Sequence, residues 1–267
     1  MDDSLYAGSA AFYASGRMAY PSHLADVLRD ELHLDGTGSL LDVGCGPGSL
    51  TLLLAPLVAH AVGVDPDADM LAEAAAEAAR RGVGDVVWHR SRAEDLSPDL
   101  GTFRVVTFAQ SFHWMDRELV ARRVRALLEP EGAWVHVSAT TDRGVPGDDD
   151  APPWELVDEL VARYLGPVRR AGQGFLPEGT PGGEDDIMRA AGYPGPRTIE
   201  VARGERLRRS TDDVVASVFS LSSSAPHLFG DRLPSFEADL RRLLVEASPS
   251  GRFTERARDI RVAIWSP

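Results

Sequence analysis

The chain has 267 residues, 43% hydrophobic and 26% charged, a composition that excludes whole-chain disorder and suits one α/β domain with insertions. Its net charge of −13, with all 28 basic residues arginine and scattered among acids, disfavours a binder that neutralises nucleic-acid phosphates. No apolar run reaches the roughly 18 residues of a spanning helix, the start carries no secretory pattern and Cys45 is the only cysteine, so we expect a cytoplasmic chain with no membrane span, no internal disulfide and no multi-cysteine metal site.

Residues 19–34 read as an amphipathic helix, with Pro21 and Ser22 near its start and Leu24, Val27, Leu28 and Leu32 at helical spacing. Beyond Gly36 and Gly38, residues 39–43 form an apolar run too short for a helix, hence a buried strand. Residues 49–57 return to helix, 61–65 to strand and 67–81 to an alanine-rich helix. Strands follow at 86–89 and 104–109, then a helix at 117–128. A fifth strand at 133–138 comes after the turn Glu129-Pro130-Glu131-Gly132. This alternation predicts a doubly wound, Rossmann-like α/β fold, its mostly parallel sheet covered by helices on both faces.

Past Ser138 the alternation stops. Residues 139–153 read as a loop, 154–165, 184–191, 211–222 and 235–247 as helices, and 198–203 as a strand. The alternating segment Asp259–Trp265 predicts a last strand, antiparallel at the sheet edge. The expected organisation is a single domain: cap helices in 1–36, a cofactor-binding core in 37–138, a substrate-cap insertion in 139–250 and a terminal strand in 251–267.

The sharpest motif is Leu40-Leu41-Asp42-Val43-Gly44-Cys45-Gly46-Pro47-Gly48. Alternating glycines between a strand and a helix allow a tight turn and close approach of a ligand to the backbone. Asp65 closes the next strand, where a carboxylate can accept both hydroxyls of a ribose. A dinucleotide loop needs Gly-x-Gly-x-x-Gly, whereas here the third glycine comes one residue early and position 49 is serine. Asp42 at the strand tip would repel a pyrophosphate but favour the ammonium and sulfonium of S-adenosylmethionine.

On these residues the chain resembles the class I S-adenosylmethionine-dependent methyltransferases, in particular the small-molecule group of the type 11 kind, over roughly residues 12–138. The resemblance implies that Gly44, Gly46 and Gly48, with Cys45 between them, line the methionine moiety, that Asp42 helps hold its amino group, and that Asp65, followed by Pro66, binds the ribose. Met70 would pack on the adenine or serve as a plain helix core residue. Ser91-Arg92-Ala93-Glu94-Asp95-Leu96 looks like the family's adenine-edge segment, with the Ala93 amide and Glu94, in preference to Asp95, as partners. Arg92 stands where the family often has an acid, and Arg104 where it usually has Asp.

After strand four, Gln110 is implied against the methionine end, while His113 and Trp114 border the cleft. His113 is the candidate general base, or else a packing partner of Trp114; Trp114 and Tyr20 are candidate substrate-pocket walls. Residues 12–21 match the family's Tyr-x-x-x-Arg-x-x-Tyr-Pro cap. Tyr13 and Arg17 share a helix face there, and Arg17 suits the methionine carboxylate.

Trp154, Tyr164, Phe175, Tyr193, Phe219, His227 and Phe229 line the pocket or fill the core. The run Asp148–Asp150 reads as a solvated loop rather than a divalent-ion site, so no metal is expected. The function implied is methyl transfer to O, N or C of a small molecule by in-line displacement in a closed pocket. The alternatives are an RNA or protein methyltransferase, a nucleotide-linked oxidoreductase, or a cofactor-binding protein without turnover. No nucleic-acid or membrane partner is expected, and a homodimer is left open. The arginine-only, alanine- and glycine-rich composition suggests a bacterial source.

Overall fold

The computed structural model describes residues 6–146, 150–171, 174–175 and 182–267. In chain order its elements are α1 (Ala10–Gly16), α2 (Ser22–Leu32), β1 (Ser39–Val43), α3 (Ser49–Leu54), β2 (His60–Asp65), α4 (Ala68–Arg81), β3 (Val86–Arg90), β4 (Phe103–Ala109), α5 (Arg117–Leu127) and β5 (Leu128–Ser138). There follow β6 (Val145–Pro146), α6 (Trp154–Leu165), β7 (Arg170–Ala171), β8 (Gly174–Phe175), α7 (Glu184–Ala190), β9 (Arg197–Val201), β10 (Arg206–Ser210), α8 (Thr211–Phe219), α9 (Leu233–Ala247), β11 (Arg252–Arg256) and β12 (Ile260–Trp265).

Among the described residues the main sheet has seven strands in the order β3-β2-β1-β4-β5-β12-β9. Strands β1 to β5 are parallel; β12 runs antiparallel to both β5 and β9. The last strand therefore has its expected antiparallel sense, and β9 pairs outside it at the edge. The predicted turn at 129–132 is absorbed into β5, where an irregular register opposite Phe103 and Val105 takes up the extra residues.

Period-two alternation sorts the central strands onto two cores. Leu41, Val43, Val106, Phe108 and Trp134 pack under α5 and α7. Leu40, Val105, Val135 and Val137 pack under α2 and α3. A third core joins Val157 and Leu160 of α6 to Phe219 of α8 and Phe236, Leu240 and Leu244 of α9. Within the expected cap segment these helices have an apolar centre of their own, and the described residues form a second sheet, β10-β11-β6. The segment 251–267 serves both layers, β11 in the cap sheet and β12 in the main one.

The two expected N-terminal helices also part company. Leu24 and Leu28 of α2 bury into the main domain. Helix α1 lies on α8 instead, so closely that a Cβ at Gly16 would collide with the Ala216 carbonyl. The chain leaves β1 in one direction toward β2 and β3, and resumes on its other side with β4 and β5. That reversal opens a crevice beyond the carboxyl ends of β1 and β4, where ligands of such sheets bind.

Candidate active site

The loop after β1 holds Gly44, Gly46 and Gly48 at φ of 68°, 54° and 76°, a left-handed backbone that glycine adopts without a steric penalty. A Cβ at Gly46 would meet open space, so the peptide there is bare toward the crevice. A Cβ at Gly44 would lie 2.5 Å from Cβ of Ser111, and one at Gly48 2.6 Å from the Trp88 ring. The missing side chain of Gly48 lets α3 close on Trp88 of β3. The Cys45 thiol is turned inward too, near Gly63 of β2, and burial raises its pKa well above the usual thiol value.

Asp65, half-buried at the end of β2, accepts the Gly46 N–H at 2.9 Å on one oxygen and the Asp67 N–H at 2.9 Å on the other. Burial outweighs these bonds and pushes its pKa up to about 6. Asp42 departs from expectation. It is 1% exposed, and its oxygens accept the hydroxyls of Thr51 at 2.5 Å and Thr107 at 2.7 Å. Facing two threonines from below the loop, it holds α3 and β4 to β1 rather than presenting a carboxylate to the cleft.

On the side expected to take the adenine, Met70 and Ala93 are buried and the Pro66 carbonyl accepts from Arg90 Nε at 3.1 Å. Glu94 Oε1 accepts the Asp116 N–H at 2.9 Å, and Arg92 lies 3.6 Å from its other oxygen. Glu94 thus ties the turn at 93–95 to the start of α5.

The loop after β4 is fastened to the glycine loop, because Ser111 Oγ donates to the Val43 carbonyl at 2.6 Å. Gln110 adopts φ of 58° and its amide donates to the Ala139 carbonyl. A left-handed non-glycine residue stores strain of the kind found at functional sites. His113 and Trp114 pack at 4.6 Å between ring centroids. Burial, then the cations Arg169 and Arg117, lower the His113 pKa to about 4, well below the value near 6.5 that a free imidazole would have. The Tyr6 hydroxyl faces Ser222 and Trp114 and is pushed up to about 12, chiefly by burial.

Across the glycine loop stands the cap. Tyr13, Arg17, Tyr20 and Thr141 close a cavity whose floor is Gly44, Gly46 and Pro47. Arg17 donates from Nε to Ser220 Oγ at 2.8 Å, from one terminal nitrogen to the Ser220 carbonyl at 2.9 Å, and from the other to Thr141 Oγ1 at 3.3 Å. Among the described residues these bonds use three of the five N–H groups of the guanidinium, and an Asp142 carboxylate oxygen lies 3.8 Å away. Thr141, Ser220 and Ser111 carry no motif of their own. Their function emerges only when the cap folds over the sheet.

The aromatic residues of the insertion are mostly core. Phe219, Phe229 and Tyr164 cluster around Phe236, Tyr193 packs on Trp134, and Trp154 Nε1 donates to Glu255 at 2.6 Å. His227 meets the Ala7 carbonyl at 2.9 Å, and the Phe175 side chain falls outside the described residues. Among the described residues no cluster of three His, Cys, Asp or Glu could hold a metal; Asp148 and Asp149 lie outside them. No described helix is long and apolar enough to cross a membrane.

Comparison with known proteins gives the same picture. Residues 40–132 match the model of a methyltransferase domain. A probable S-adenosylmethionine-dependent methyltransferase of Saccharomyces cerevisiae, CRG1, is 29% identical over 47% of this chain and 43% of its own. Nocamycin O-methyltransferase of Saccharothrix syringae is 33% identical over 58% of each chain. This chain therefore spans about half the length of these curated relatives. The solved YcgJ protein of Bacillus subtilis shares the fold at a TM-score of 0.51 and 19% identity, over 92% of this chain and 99% of its own. The glycine loop and the acid that caps it both lie within the segment that matches the methyltransferase domain.

Proposed function

We propose that the chain transfers the methyl group of S-adenosylmethionine to a small-molecule acceptor by in-line displacement in a pocket closed by the cap. The observation that carries this reading is the cavity between the bare Gly46 peptide and the cap residues Tyr13, Arg17 and Tyr20. Gly46 and Asp65 would hold the methionine and ribose, Ala93 and Met70 the adenine, and Arg17 the methionine carboxylate. The cofactor supplies an electrophilic methyl, while the protein orients the acceptor and excludes water, the main contributions open to it in such a displacement. A small acceptor is supported by the acidic chain and by the O-methyltransferase relative. Calorimetric titration should show S-adenosylhomocysteine binding and no binding of a nicotinamide dinucleotide. Tighter dinucleotide binding would overturn the reading.

If Arg17 receives the methionine carboxylate, Arg17→Ala should weaken S-adenosylhomocysteine by about 1.5–3 kcal/mol, the scale of a hydrogen bond to a charged group. Arg17→Lys should recover only part of that, because a compact ammonium does not reproduce the planar fork. Equal affinities for all three proteins would leave Arg17 as a cap fastener alone.

His113 we assign to the acceptor side of the cleft. Its low pKa keeps the ring neutral, and such a weak base removes protons poorly at neutral pH. It then orients the acceptor as a hydrogen-bond partner. Release of S-adenosylhomocysteine against pH should show no histidine titration between pH 6 and 8. His113→Ala should cost less than the ~10²-fold typical of losing a general base. A limb near pH 6.5 that vanishes in His113→Ala would restore the base.

A further inference from the structure

Arg209 of β10 is buried at 7% exposure, far from either end of the sequence motifs, and faces the fully buried Glu255 at 3.3 Å. Burying such a pair costs desolvation that its own attraction seldom exceeds, so its value lies in what else the charges hold. Glu255 accepts the Gly144 N–H at 3.0 Å and the Trp154 indole N–H at 2.6 Å. Arg209 donates to three main-chain carbonyls: Asp142 at 2.7 Å, Gly16 at 2.8 Å and Asp213 at 3.0 Å. Two of these belong to the immediate surroundings of Arg17. Gly16 directly precedes it; Asp142 follows Thr141, one of its hydrogen-bond partners, and puts a carboxylate oxygen 3.8 Å from its guanidinium. The Met18 N–H is bound to the Thr141 carbonyl at 2.7 Å, which completes a short ladder between the two segments.

We propose that Arg209 is a positioning residue for cofactor binding, which fixes α1 and the segment after β5 in the one register that aims Arg17 into the methionine cavity. The planar guanidinium is suited to this because its forked donors reach carbonyls on separate segments at once, whereas a lysine at the same place would keep the pairing with Glu255 and lose the bridge. The inference rests on the reading of Arg17 as a cofactor contact.

The test is a double-mutant cycle on S-adenosylhomocysteine affinity, with Arg209→Lys, Arg17→Ala and the double variant, each checked for its folded state by circular dichroism. We expect Arg209→Lys to weaken S-adenosylhomocysteine about tenfold, and Arg17→Ala to add little in its background. Additive losses would mean that Arg209 only stabilises the fold, and would overturn the proposal while leaving the reading of Arg17 intact. Unchanged affinity for Arg17→Ala would overturn both. Should Arg209→Lys not fold, hydrogen exchange of the unaltered protein decides. S-adenosylhomocysteine should raise protection at residues 16–18, 141–144 and 209–210 together, and protection confined to 16–18 would overturn the proposal.

Discussion

Asp65→Ala should reduce S-adenosylhomocysteine affinity by about 2–4 kcal/mol, roughly 30- to 1000-fold, since a ribose diol gives a carboxylate two hydrogen bonds of the charged kind. The loss has a second source. The same carboxylate caps the Gly46 N–H, so its removal also frees the peptide that lies bare toward the ligand. Asp65→Asn, which keeps one acceptor oxygen, should fall between. The pKa of about 6 adds a signature. Above it the carboxylate is charged and affinity is flat. Below it a proton must leave before the diol can bind, so affinity should fall by up to about tenfold per pH unit. The stability effect of the free protein has the opposite sense. The folded chain retains a proton that the unfolded chain releases above about pH 4, so Asp65 favours folding at low pH and that contribution is lost as pH rises through 6. Wild-type affinity in Asp65→Ala, or a flat affinity profile down to pH 5, would refute the assignment.

His136 should contribute a measurable share of the acid sensitivity of the fold. It sits on β5 at 6% exposure in a cage of Phe108, Phe112 and Trp134, and burial lowers its pKa to about 3. Glu184 lies 3.7 Å from Nδ1, but a neutral ring makes no ion pair with it. The unfolded chain takes up a proton near pH 6.5 that the folded chain refuses until about pH 3. Stability therefore falls as pH drops below 6.5, by about 1.4 kcal/mol per unit, or about 2 kcal/mol by pH 5. His136→Phe should lose this share of the dependence, leaving that of His113, and its urea midpoint should gain on that of the wild type on acidification. Parallel midpoints for the two proteins between pH 7 and 5 would show that His136 is not the source.

The parallel half of the fold was readable in advance because its strands are short apolar runs set between glycines and amphipathic helices, each a local signal. The strands of the cap were not. β10 reads Arg206-Leu207-Arg208-Arg209-Ser210, a charged segment that no hydrophobic pattern marks; it pairs antiparallel with β11, where Arg209 faces Glu255. Within the site, Gly46, Asp65 and Arg17 were readable as a constellation. The fine placement of Asp42, Gly48 and Glu94 was not, because it depends on Thr107, Trp88 and Asp116, residues distant in sequence whose own neighbours are set by sheet order. A motif names the residues near a ligand. Which of them face it is decided by packing.

The insertion of β12 between β5 and β9 has a consequence for how the molecule assembles. β5 ends at Ser138 and its neighbour begins at Ile260, with the whole cap emerging from the ribosome in between. Until that neighbour arrives, β5 presents an open edge of hydrogen-bonding groups flanked by Trp134, Val135 and Val137, the kind of template on which chains aggregate. Such a long loop must close before the pairing is rewarded, which slows the closing of this edge. Trp265, opposite Trp134 and fully buried, closes that edge of the sheet. Without β12 the edge of β5 would stay open and β9 would have no partner in the main sheet.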